Sequence, residues 1–102
     1  MKKRIAFIIN PMSGTRTKAG LPGILRRELD PKQYDDFRIL HTEYKGHGTQ
    51  LSAQLVREGY NVVVAVGGDG TVNEVARSLI HTNVALGIIP AGSGNGLSRH
   101  LN

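Results

Sequence analysis

Apolar residues in this chain gather into four short runs, and the stretches between them carry helical spacing. Residues 5–9, Ile-Ala-Phe-Ile-Ile, lie inside a strand predicted over 4–10. Leu21, Ile24, Leu25 and Leu29 then share one face of a helix predicted over about 18–29, with Pro22 in its first turn and Asp30-Pro31 as its stop. Residues 36–42 set Phe37, Ile39 and His41 against Arg38, Leu40 and Thr42. That alternation suits a strand near a sheet edge, exposed on one face. A second helix is predicted over about 49–58, with Leu51, Leu55 and Val56 inward and Gly59 ending it. Residues 62–66, Val-Val-Val-Ala-Val, are continuously apolar, as a strand covered on both faces requires. Val72, Val75, Ala76, Leu79 and Ile80 predict a helix over 71–80. Residues 84–89 form a fourth strand, and a further helix begins at Leu97.

Strands and helices therefore alternate. Right-handed crossovers make this an α/β fold: a three-layer, parallel, doubly wound (Rossmann-like) sheet of about four strands. In such a sheet the strand-to-helix turns lie along the carboxyl edge, where ligands bind. Those turns are residues 10–14, 42–48, 67–71 and 90–96, all rich in glycine, hydroxyl or amide groups. Gly67, Gly68 and Gly70 bare their backbone at a helix start, which makes an anion site, most simply a phosphate site. Asp69 stands inside that turn. A carboxylate there repels phosphate unless a divalent cation bridges the two or the carboxylate handles a proton. The plainer alternative is a turn Asp bonding its own backbone.

The 102 residues make room for one domain with one core. The absence of cysteine rules out a disulfide scaffold or thiolate metal site and fits a reducing, cytoplasmic setting. No stretch approaches the length of a transmembrane helix, and the apolar run after Lys2-Lys3-Arg4 is too short for a signal peptide. The net charge of +5 favours anionic partners. With that charge scattered and aromatics at only 5%, no stacking platform for single-stranded nucleic acid is expected.

Common nucleotide fingerprints are missing. There is no G-x-x-x-x-G-K-[ST] loop, and G-x-G-x-x-G fails at Asn73, Leu97 and Arg99. His41, His47, His81 and His100 form no i, i+4 ligand pair, so no metal-ligating set is expected among them. The flanking of Ser93 by Gly92 and Gly94 is one residue too tight for a G-x-S-x-G elbow.

The residues at 67–75, Gly-Gly-Asp-Gly-Thr-Val-Asn-Glu-Val, with Pro-Ala-Gly-Ser-Gly-Asn-Gly-Leu at 90–97, closely resemble the diacylglycerol kinase, sphingosine kinase and bacterial lipid kinase family. Residues 10–14 match the opening motif of that family. Thr42-Glu43 followed by Gly46-His47 looks like its second motif. The GGDG core alone is shared with NAD kinases and phosphofructokinases, whereas the extended motifs are more specific. The resemblance implies an ATP-dependent kinase acting on a lipid hydroxyl, diacylglycerol-like or sphingoid, with Mg²⁺. It implies that residues 1–102 are a nucleotide-binding lobe, and that a C-terminal β-rich domain absent from this chain binds the lipid. On that reading the chain alone is inactive, and the intact protein touches membranes peripherally. A phosphotransferase of the NAD kinase or phosphofructokinase type, and a non-catalytic nucleotide-binding module, are the alternatives.

The same resemblance places Asp69 at the γ-phosphate, as general base or as an organiser of Mg²⁺ through water. It carries over Asn10, Pro11, Ser13, Gly14 and Thr42 as nucleotide contacts, with Gly67, Gly68, Gly70 and Thr71 in the first phosphate turn and Gly92, Ser93, Gly94 and Asn95 in the second. Thr71 can offer its hydroxyl or cap the helix. Glu74 either contacts the ribose or closes a capping box with Thr71. Two positions depart from the family pattern. Thr15 stands where many bacterial relatives have Lys, with Arg16 or Lys18 as substitutes, and Gly96 stands where many have an acidic residue.

Overall fold

The computed structural model describes residues 3–11 and 32–90. The helix predicted over 18–29 and the one beginning at Leu97 lie outside them. Four strands form one parallel sheet: β1 (Lys3–Ile9), β2 (Tyr34–His41), β3 (Val62–Gly67) and β4 (Ala85–Pro90), in the order β2-β1-β3-β4. The two central strands are the two continuous apolar runs. Their residues 5–9 and 63–66 are buried, because a central parallel strand is covered on both faces.

Two helices are described, α1 (His47–Arg57) and α2 (Asp69–Arg77). The β2-to-β3 and β3-to-β4 connections both step in the same direction across the sheet. With right-handed crossovers, both helices belong on one face. There they pack together over Ala6, Ile8, Val63 and Ala65, with Leu55, Val75 and Leu79 pointing inward. The other face gathers Ile5, Phe7, Ile9, Val64, Val66 and Ile89. Phe7 meets Phe37 at 5.5 Å between ring centroids.

Both helices begin two residues ahead of the spacing-based expectation. α1 starts at His47 because Gly46 takes a left-handed conformation (φ 91°) that a side chain would strain. α2 starts at Asp69, behind an extended Gly68. That puts an acidic residue in the first turn, where the helix dipole favours it. It also ends at Arg77 rather than Ile80. The chain turns at residues 78–80 and leaves Ile80 exposed, off the apolar face that spacing assigned to it. β2 starts at Tyr34, before Asp36, across a register irregularity between Lys3 and Arg4 of β1.

The amino-terminal edge of the sheet is fastened around Arg4. Its guanidinium pairs with Asp36 at 3.0 Å, lies 4.2 Å from the Tyr60 ring centroid and donates to the Glu58 carbonyl. The Tyr60 hydroxyl also donates to Asp36. That bond, with the Arg4 guanidinium behind it, holds the Asp36 carboxyl below its ordinary range. This cluster lies at the opposite end of the strands from the glycine turns.

Candidate active site

The register makes the strands end flush. Ile9 pairs with His41 on one side and Val66 on the other, and Val66 pairs with Ile89. The next residues, Thr42, Asn10, Gly67 and Pro90, therefore stand in a row along the carboxyl edge. Backbone bonds fix that row: Thr42 N–H donates to the Ile9 carbonyl (2.9 Å) and Asn10 N–H to the Val66 carbonyl (3.1 Å). From β1 the chain moves toward β2, and from β3 it moves toward β4. The carboxyl ends of β1 and β3 thus form the topological switch point of the sheet, where such folds open a crevice.

A cavity of about 680 Å³ opens there. Six of the sequence-predicted residues line it: Asn10, Pro11, Thr42, Gly70, Thr71 and Glu74. The Asn10 side-chain amide donates to Thr71 Oγ1 (3.2 Å), tying the end of β1 to the first turn of α2. This bond and the helix start at Asp69 leave Thr71 inside the helix rather than capping it.

Glu74 also departs from its local reading. Its Oε2 accepts from the Gly46 N–H (3.0 Å) and its Oε1 from the Gly48 N–H (3.1 Å). The capping box is absent because the helix began earlier, which moves Glu74 beyond its third position. Its carboxylate instead meets the amino end of α1, which has no acidic residue in its own first turn. Thr49 Oγ1 donating to the Glu74 carbonyl, Ser52 Oγ to the Val75 carbonyl and Ser78 Oγ to the Thr49 carbonyl complete the seam between the helices.

Asp69 is exposed beside the cavity and does not line it. Among the described residues its carboxylate has no hydrogen-bond or ion-pair partner, its own turn included. Gly67 is buried and Gly68 exposed, and neither lines the cavity. Ser13, Gly14, Gly92, Ser93, Gly94 and Asn95 lie outside the described residues, as do Thr15, Arg16 and Lys18. Glu43, from the second motif, also lines the cavity, and two further lining residues, Tyr44 and Lys45, were not singled out by sequence motifs. The only sequence signal for them was their place in a carboxyl-edge turn. Lys45 puts a cation on the cavity wall. Among the described residues no group of three acidic, histidine or cysteine side chains could hold a metal, and no helix is long and apolar enough to cross a membrane.

Fold and cavity together define a parallel α/β domain with its ligand crevice at the switch point. The family model of the diacylglycerol kinase catalytic domain matches residues 4–102. A diacylglycerol kinase of Staphylococcus saprophyticus is 36% identical over 105 residues, covering 100% of this chain and 34% of that protein. One from Staphylococcus aureus is also 36% identical, with 33% of its length covered. A crystal structure of a diacylglycerol kinase from Bacillus anthracis superposes with a TM-score of 0.65 at 30% identity, over 95% of this chain and 36% of that one. The solution structure of a phosphate-loop protein has a TM-score of 0.66 at 17% identity, a likeness of fold alone. This chain belongs to the diacylglycerol kinase catalytic domain family. It spans about a third of the length of the curated relatives it matches.

Proposed function

We propose that residues 1–102 are the ATP-binding lobe of a lipid kinase that passes the γ-phosphate of ATP to a lipid hydroxyl, diacylglycerol-like or sphingoid. The observation that carries this reading is the switch-point cavity, whose walls bring three separate family motifs together: Asn10, Thr42, and Gly70 with Thr71 and Glu74. In this reading the backbone around Gly67, Gly68 and Gly70 cradles phosphate at the amino end of α2. Asn10, Pro11, Ser13, Gly14 and Thr42 position the nucleotide, and Gly92, Ser93, Gly94 and Asn95 add the second phosphate turn. Each Glu74 oxygen accepts one backbone bond and keeps a further lone pair, so a ribose hydroxyl has an acceptor there.

Asp69 takes the proton of the attacking hydroxyl or holds a hydrated cation. A carboxylate without a partner among the described residues, at the water-exposed rim, suits Mg²⁺, which keeps most of its waters and binds through one or two carboxylates together with substrate phosphates. When bound, Mg²⁺ neutralises charge on the phosphates. The lipid comes from a C-terminal domain outside this chain, through which the intact protein meets the membrane surface. These 102 residues alone are therefore expected to phosphorylate nothing.

Acceptor profiling of the intact polypeptide tests this. With MgATP, the expected products are phosphorylated diacylglycerol or sphingoid base. Phosphorylation of NAD or a sugar phosphate, with lipids untouched, would overturn the lipid assignment.

A further inference from the structure

The cavity is chemically lopsided. On the β3 side it presents Gly70 and Thr71 in the first turn of α2, a helix amino end that suits anions. On the β2 side it presents an aromatic ring, Tyr44. That ring is 54% exposed, yet it is held in place.

Several contacts fix it. One face lies on the His47 imidazole, with centroids 4.4 Å apart and planes 13° from parallel. Its hydroxyl donates to Gln50 Oε1 at 2.6 Å. His47 is fixed in turn: its backbone N–H donates to the Tyr44 carbonyl, and its Nδ1 accepts from the Glu43 N–H at 2.9 Å. The same turn is anchored to α2 where the Gly46 N–H meets Glu74. Tyr44 is thus a pre-oriented ring on the cavity wall, stacked on His47 and still half-exposed. A ligand that matches the cavity has a flat aromatic head and an anionic tail.

We infer that Tyr44, backed by His47, is the platform on which the nucleobase stacks, with the phosphates laid across the switch point toward Gly70 and Thr71. This rests on the nucleotide reading above and assigns the base subsite within it. Aromatic side chains bind bases through the π-face with little dependence on base identity. The platform therefore supplies affinity for a base rather than choice among bases.

The chain has no tryptophan, so Tyr44→Trp places a single indole at the platform. Titration of that variant with MgATP is expected to quench the indole saturably. Mg²⁺-tripolyphosphate, which has no base, is expected to leave it unquenched. In parallel, Tyr44→Ala should weaken MgATP binding about tenfold, within the range that base stacking contributes, and leave tripolyphosphate affinity unchanged. Because the ring is exposed, the variant should keep the parent circular dichroism.

If MgATP shifts the amides of Asn10, Gly70 and Thr71 without quenching the indole, and Tyr44→Ala binds it as the parent does, the platform is wrong and the nucleotide site stands. Tripolyphosphate binding as tightly as ATP also overturns the platform. If MgATP does not bind the parent at all, the nucleotide reading falls and the platform with it.

Discussion

Asp69→Asn in the intact polypeptide is expected to lower the rate of lipid phosphorylation by at least about a hundredfold, the lower bound for loss of a general base. If Asp69 acts only as the base, nucleotide affinity should change little; if it holds the cation, MgATP affinity should fall as well. The carboxylate is exposed, stands in the first turn of α2 and has no partner among the described residues. The two chemical roles separate in one experiment. A lost base lowers kcat at every Mg²⁺ concentration, whereas a lost cation organiser raises the Mg²⁺ needed for half-maximal rate. Turnover within a factor of two of the parent would remove Asp69 from the chemistry.

The second large effect concerns stability. A Cβ added at Gly48 would lie 2.9 Å from Glu74 Oε1 and 3.1 Å from Glu74 Cβ. Glu74 cannot swing aside without giving up its bonds to the Gly46 and Gly48 N–H groups. Gly48→Ala therefore either overpacks the seam or breaks a carboxylate bridge that satisfies helix-end donors. The expected cost is about 2–3 kcal/mol, or a fall in Tm of roughly 10 °C, read from thermal and urea unfolding. Combined with Glu74→Ala, the effects should be less than additive, since the clash and the bridge share one side chain. A Gly48→Ala protein as stable as the parent would show that α1 and α2 do not approach this closely.

Sequence made visible what depends on neighbours along the chain. The runs at 5–9 and 62–66 needed only their own hydrophobicity to be placed as buried strands; residues 5–9 and 63–66 are buried and Val62 partly so. The alternation at 36–42 placed β2 at an edge, where the strand order puts it. Strand-to-helix order put the glycine turns on one edge, and six of the residues chosen there line the cavity.

What escaped depends on partners remote in sequence. Glu74 fits a capping box by spacing, but its carboxylate bonds to glycines far back along the chain. The start of α1 rests on that remote carboxylate and on the backbone of Gly46, so apolar spacing placed it late. Tyr44 and Lys45 belong to no recognised motif, and only the folded turn brings them to the cavity. Leu86 and Ile88 of β4, an edge strand, stay partly exposed.

The central claim is that a nucleotide binds along the carboxyl edge at the switch point. The most direct test is a titration of the 102-residue chain with MgATP, followed by residue-resolved NMR shifts. Saturable shifts gathered on residues 10–14, 67–71 and 92–96 are the predicted result. Shifts confined elsewhere, or none at millimolar nucleotide, would contradict it.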